Sequence, residues 1–195
     1  MRKLKLQVQM TVDGYIAGPN GEMDWMVWDW DDELKKYVGE ITEPVDCIVL
    51  GRKLAEGFIP HWAKVAANPD DPEYTAGRKF TLTPKVVFTK TLDKSAPVTA
   101  GWNNTIIAKG ALAGEISRLK KQSGKDIIAY GGGNFVSALI RQGLIDEFHL
   151  LINPSAIGNG MTIFKTLDSK QNLTLVKSKS FDCGIVVLNY KPKGK

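Results

Sequence analysis

The hydrophobic pattern changes period several times along the chain, and each change marks an element. Residues 3–11 alternate, with Leu4, Leu6, Val8 and Met10 on one face, which predicts a strand. A glycine-rich loop follows, from Asp13-Gly14 through Gly18-Pro19-Asn20-Gly21 to Asp24-Trp25. Leu34, Tyr37, Val38 and Ile41 then recur at helical spacing, so 31–42 reads as an amphipathic helix closed by Pro44. A buried strand at 45–50 precedes a short helix at 52–58; the stretch 59–78, with Pro60, Pro69 and Pro72, reads as a long polar loop. Strands are predicted at 85–89 and near 104–108, and Leu112, Ile116 and Leu119 support a helix over 111–122. Strand 126–130 runs into Gly131-Gly132-Gly133. Helix 134–142 follows, with Phe135, Ala138 and Leu139 on one face, and strand 146–153 runs to Pro154. Two last strands, 173–181 and 185–191, are joined through Asp182-Cys183-Gly184, a connection short enough for an antiparallel hairpin.

Strands that alternate with helices give an α/β fold whose sheet is mostly parallel, with the C-terminal hairpin adding an antiparallel edge. No repeat or low-complexity linker divides the chain, so one domain over 1–195 is expected. In such sheets ligands collect at the carboxyl ends of the strands, and three strand ends here carry residues suited to phosphate. Gly131, Gly132 and Gly133 would let the backbone approach a pyrophosphate, held by the free N–H groups and positive dipole end of the next helix. The same glycines would also serve a tight packing turn. Arg52 and Lys53, after Gly51, put two cations at a helix start against the dipole preference; a bound anion would offset that, and a solvated basic turn is the plain alternative. Phe88-Thr89-Lys90 places a hydroxyl and an ammonium where the 2′-phosphate of an adenosine would suit them. The loop Val12-Asp13-Gly14-Tyr15-Ile16-Ala17, with Trp25 beyond it, reads either as a flap able to exclude water or as an ordinary surface loop.

A net charge of +5 raises the question of nucleic acid. Lys and Arg are scattered, however, and the only dense cluster is the tail Lys191 to Lys195; a moderate positive field equally suits an anionic cofactor. A nucleic-acid binder ranks last, because no predicted strand face interleaves aromatic and basic residues. Cys47 lies in an apolar run, Cys183 is far from it in sequence, and neither they nor His61 and His149 have metal-ligand spacing, so no metal is expected. No apolar stretch approaches the ~18 residues of a membrane span. The basic start Met1-Arg2-Lys3 leads into a strand rather than a signal core. A cytoplasmic protein is the expectation.

Taken in order and spacing, these features resemble the dihydrofolate reductase superfamily, over nearly the whole chain. Asp13-Gly14 and Trp25 match its flap, Val49-Leu50-Gly51-Arg52 its first cofactor turn, and Val87-Phe88-Thr89-Lys90 its adenosine-phosphate strand. Tyr130-Gly131-Gly132-Gly133 matches its pyrophosphate turn, where the resemblance implies a cis bond between Gly131 and Gly132. Thr11-Val12-Asp13-Gly14-Tyr15-Ile16-Ala17 is similar to the S-x-D-G-x-x-A opening of the RibD C-terminal branch, the reductase domain of riboflavin-biosynthesis deaminase/reductases and its free-standing bacterial relatives. Ile145-Asp146-Glu147-Phe148 through Asn153-Pro154 to Ile157-Gly158-Asn159-Gly160 is similar to its ending.

The resemblance implies a dihydrofolate-reductase-like three-layer fold, NADPH as cofactor and a homodimer. Cofactor contacts carried over are Ile16, Ala17, Gly51, Arg52, Lys53, Phe88, Thr89, Lys90, Gly131, Gly132, Gly133, Asn134 and Phe135. Substrate-side candidates are Asp13, Trp25, Asp32, Phe58 and Trp62; no residue is singled out as the proton donor. The implied reaction passes hydride from NADPH to a pyrimidine- or pteridine-like intermediate, as in 5-amino-6-(5-phosphoribosylamino)uracil reduction. A dihydrofolate-reductase-like activity on folates, or a non-catalytic NADP-binding protein, are the alternatives. Two departures bear on this. Trp30 stands where the folate enzymes keep an acidic residue, and Asp29, Asp31 and Asp32 beside it also suit helix capping. Phe58-Ile59-Pro60-His61-Trp62 is aromatic where the riboflavin branch is basic, which suits a flat, uncharged heterocycle.

Overall fold

The alternating segments assemble into one eight-stranded sheet in a computed structural model that describes residues 1–92, 95, 96, 99 and 101–194. Lys195, the end of the basic tail, lies outside the described residues. The elements run β1 (Leu4–Thr11), α1 (Asp32–Thr42), β2 (Val45–Gly51), α2 (Arg52–Ala66), α3 (Tyr74–Leu82), β3 (Lys85–Phe88) and β4 (Thr105–Ala108). Then come α4 (Leu112–Lys121), β5 (Asp126–Tyr130), α5 (Gly133–Arg141), β6 (Glu147–Asn153), β7 (Leu173–Ser180) and β8 (Val186–Pro192). The strand order is β4-β3-β2-β5-β1-β6-β8-β7. From β4 to β6 all neighbours are parallel; β8 joins β6 antiparallel and carries β7 on its outer edge.

Helices cover both faces, giving three layers. On one side Ile116 and Leu119 of α4 and Val136, Leu139 and Ile140 of α5 pack against Leu4, Leu6, Val8, Val49, Ile127 and Phe148. On the other, Leu34, Tyr37 and Ile41 of α1 and Ala55 and Ile59 of α2 pack against Ile48, Leu50, Ile128, Leu151 and Val187. Burying both faces explains the continuous apolar runs of β2 and β5.

Asp31 caps α1 as its residue type suggests. Its carboxylate accepts from the Cys183 N–H at 3.0 Å and from the Leu34 N–H at 2.8 Å, and these bonds hold its pKa below the usual carboxylate range. The helix start is thereby tied to the β7–β8 turn. Cys47 is buried, which pushes its thiol up to about 11, so it serves as a small hydrophobe.

The expected loop at 59–78 is corrected. The helix predicted to stop at 58 continues as α2 to Ala66, and α3 follows from Tyr74. Pro60 lies inside α2 on its exposed side, while Ile59 and Val65 are buried, so packing outweighs the missing N–H. Gly77 lets α3 press close to α2: a Cβ there would lie 2.6 Å from Val65 Cγ1 and 2.9 Å from the Ala66 nitrogen. The peptide between Gly131 and Gly132 is trans rather than cis; Gly132, at φ +83°, reverses the chain in the left-handed region instead.

Candidate active site

Because β2 and β5 are neighbours, with Val49 opposite Ala129, the turns that follow them leave the same sheet edge side by side. α2 starts after Gly51 and α5 after Gly132, neither with a side-chain cap or an acidic residue in its first turn. Two sets of free N–H groups and two positive dipole ends therefore converge, the arrangement that binds phosphate. The approach is close. A Cβ on Gly51 would sit 2.7 Å from Phe135 Cβ; one on Gly131 or Gly132 would meet Leu54 at 3.9 or 3.8 Å. A Cβ on Gly133 would meet Ile16 Cδ1 at 3.7 Å. Gly51 is the register partner of Phe88, whose ring lies 5.2 Å from that of Phe135. Of the predicted cofactor residues, Ile16, Gly51, Phe88, the three glycines, Asn134 and Phe135 are thus drawn to one place.

The cations are arranged differently from one another. Arg52 pairs with Glu56 at 2.8 Å, so its charge is matched within α2, whereas Lys53 is exposed. At the end of β3 the Thr89 hydroxyl accepts from the N–H groups of Thr91 and Leu92, both at 3.2 Å, which shapes the turn, and Lys90 is exposed. The Thr89 N–H donates to the Ala108 carbonyl at 3.2 Å, bringing the end of β4 and the exposed Lys109 alongside. Sequence reasoning passed over Lys109 because nothing in one sequence pairs β3 with β4.

The flap is fastened at two points. Asp13 Oδ2 accepts from the N–H groups of Ile157 and Gly158 at 3.0 and 2.7 Å; with the Thr11 hydroxyl as the largest influence, its carboxyl is held below its ordinary range. Ala17 bridges to Met161, and the Ile16 N–H donates to the Met161 carbonyl at 2.8 Å. Asp13 is therefore a clasp between two loops. Trp25 is buried, and its indole nitrogen has no hydrogen-bond partner among the described residues.

The remaining substrate-side candidates separate. Phe58 and Trp62 pack together with centroids 6.0 Å apart, join Phe80 of α3, and Phe58 stacks on Tyr130 at 5.5 Å and 24°. Asp32 stands apart from them, its side chain fully exposed, 3.8 Å from Lys35, in a groove between α1 and β7 that Lys177 and Lys179 also line. Tyr130, at the head of the glycine run, directs its ring to the α2 side rather than into the phosphate turn.

One row of residues was missed from the sequence: the second face of β1. Lys5, Gln7 and Thr11 are buried, and Gln9 is half-buried. Alternation with Leu4, Leu6, Val8 and Met10 would ordinarily put these side chains in water. Here β1 lies between β5 and β6, so they run beneath the helices instead. Gln7 is level with Tyr130 on one side and His149 on the other. His149 is buried, 3.6 Å from Glu147 and 3.4 Å from Asn189. Among the described residues no three His, Cys, Asp or Glu side chains are grouped to hold a metal, and no helix is long and apolar enough to cross a membrane.

A parallel sheet covered on both faces, closed by an antiparallel hairpin and carrying a glycine turn beside a flap, defines a dihydrofolate-reductase-like α/β fold. Residues 2–187 match the RibD C-terminal domain, and the chain belongs to that family. It is 32% identical over 196 residues to the uncharacterized protein YyaP of Bacillus subtilis, covering 99% of this chain and 96% of that protein. A structure of a Shewanella sp. PV-4 protein assigned to riboflavin biosynthesis superposes with a TM-score of 0.72 at 22% identity, over 98% of this chain and 99% of that one. The diaminohydroxyphosphoribosylaminopyrimidine deaminase/5-amino-6-(5-phosphoribosylamino)uracil reductase of Thermotoga maritima does so at 0.67 and 16%. There the match covers 98% of this chain and 56% of that one.

Proposed function

We propose that this chain is an NADPH-dependent reductase of the RibD C-terminal type, acting on a flat, uncharged pyrimidine- or pteridine-like acceptor. What carries the reading is the convergence of two uncapped helix starts, three glycines and Ile16 at one sheet edge. That edge fits a dinucleotide: free N–H groups for linked phosphates, no competing carboxylate in either first turn, and no side chain in the glycine turn. Gly131 to Phe135 would hold the pyrophosphate and Gly51 to Lys53 the adjoining phosphate, with Thr89 and Lys90 near an adenosine 2′-phosphate. The nicotinamide supplies the hydride; Ile16, Ala17 and the clasped flap orient it and exclude water.

The acceptor would lie over the Phe58–Trp62 side of the sheet. An aromatic surface of that kind favours a planar ring over a phosphoribosyl group. Titration of the intrinsic tryptophan fluorescence with NADPH and then NADH tests the cofactor half of the proposal. Saturable binding with NADPH preferred is the expected outcome, and binding of neither refutes it. Loss of NADPH absorbance across pteridine and aminouracil acceptors tests the reductase half; binding without turnover on any of them would instead favour a non-catalytic NADP-binding protein.

A further inference from the structure

The buried polar face of β1 settles its hydrogen bonds residue by residue, and one oxygen is left over. Lys5 Nζ reaches Asp126 at 3.1 Å and the Ile41 carbonyl at 3.4 Å. Gln9 Oε1 accepts from Asn153 at 3.1 Å, and the Thr11 hydroxyl accepts from the Tyr15 N–H at 2.9 Å. Gln7 is 8% exposed, yet its Oε1 meets no partner among the described residues. Its register partner on β5 is Tyr130, whose phenolic oxygen is likewise buried and unpaired. Partners on adjacent strands project from the same face of a sheet. The two residues are therefore neighbours, on the face where Phe58 stacks on Tyr130, and their oxygens do not bond each other.

Leaving a buried polar group unpaired costs about 1–3 kcal/mol, so two of them on paired residues of adjacent strands call for a partner. They are also of opposite kind. The carboxamide oxygen accepts; the phenol, whose ionisation burial pushes far up, keeps its proton and donates. An acceptor beside a donor complements a donor beside an acceptor, and the –NH–C(=O)– edge of a cyclic amide presents that pair. Lys5 in the same row is already matched by Asp126, and His149, the register partner of Gln7 on β6, faces Glu147 at 3.6 Å, which leaves a neutral partner as the fit.

We propose that Gln7 and Tyr130 are the specificity-determining pair of the substrate cleft, Gln7 accepting from the ring N–H and Tyr130 donating to the ring carbonyl of a flat, uncharged cyclic amide. The proposal rests on the reductase reading only in treating this face as the acceptor's. Calorimetric titration with quinazoline-2,4-dione and with its 1,3-dimethyl derivative tests it, on the protein alone and saturated with NADP+. The probes share shape and carbonyls, but the dimethyl compound has no N–H.

The parent is expected to bind roughly tenfold more tightly than the dimethyl compound. Gln7→Leu is expected to erase that difference, and Tyr130→Phe to weaken both probes. Each variant removes an unpaired polar group, so the melting temperature is expected to hold or rise, which a merely structural role would not produce. Equal binding of the two probes by the wild-type protein overturns the proposal without recourse to any variant, as does failure of the parent to bind. Undiminished binding of the parent by both variants also overturns it, and is the result if buried water alone serves these groups. NADP+ affinity is read separately in the same titrations, so failure of the cofactor reading is told apart from failure of the amide-recognising pair.

Discussion

Gly51 sits where the turn after β2 and the glycine turn touch, and replacing it with alanine probes that contact directly. The new Cβ would lie 2.7 Å from Phe135 Cβ and 3.2 Å from its Cγ. Phe135 cannot relieve this by rotating, because its Cβ moves only with the backbone of α5, and its ring is packed on Phe88 at 5.2 Å. The contact must open from 2.7 Å to at least 3.4 Å, which drives the start of α5 away from β2. Overpacking of this kind costs about 1–3 kcal/mol. At roughly 2–4 °C per kcal/mol for a chain of this size, the melting temperature should fall by about 2–12 °C. The displaced N–H groups should weaken NADPH and NADH alike, by about tenfold or ~1.4 kcal/mol. Gly57→Ala is the internal control: it lies within α2 with nothing inside 4 Å of an added Cβ. There alanine should raise stability by about 0.5–1 kcal/mol and leave cofactor binding unchanged. Thermal scans and fluorescence titrations of the two variants decide the matter. A Gly51→Ala protein that melts and binds NADPH like the wild type would refute the close-approach account of this site.

Lys90→Glu should weaken NADPH by roughly tenfold at low salt and NADH by much less, the gap narrowing as ionic strength rises; equal losses would remove Lys90 from the 2′-phosphate. Glu147 is held down to about 2 from an ordinary 4.5, chiefly by the His149 ring 3.6 Å away and then by Lys3, against the opposing effect of burial. Because the folded value is the lower one, its contribution is full above the unfolded value and fades as pH falls from there towards 2. Urea unfolding from about pH 5.5 to about pH 2.5 should therefore cost the wild type up to ~3 kcal/mol more than Glu147→Gln, and parallel curves would contradict the assignment. Asp13→Ala should leave the sheet intact yet speed amide exchange at Ile157 and Gly158, which lose their acceptor; unchanged protection at both would show that the clasp does not hold the flap.

What could be read from the sequence divides along physical lines. The candidate cofactor edge was legible because its residues report on their own backbones: a glycine run after a buried strand means the same thing wherever that strand lies in the sheet. Gly51, Phe88 and Gly131 to Phe135 came together accordingly, although the turn at Gly132 uses a left-handed glycine rather than a cis bond. The extent of α2 was not legible, since Pro60 is a local breaker, and only packing of Ile59, Val65 and the rings on Phe80 carries the helix through it. The polar face of β1 was hidden for the opposite reason. Lys5, Gln7, Gln9 and Thr11 follow the alternation of a strand with one wet side, and strand order alone decides that this side is buried. Where the fold buries a face that alternation would put in water, each polar side chain on it needs a partner. Those on β1 have one except at Gln7, which stands between Tyr130 of β5, itself unpaired, and His149 of β6. The half of the cleft proposed for the acceptor depends on pairings between distant strands, and so it emerges only once β1 is seated between β5 and β6.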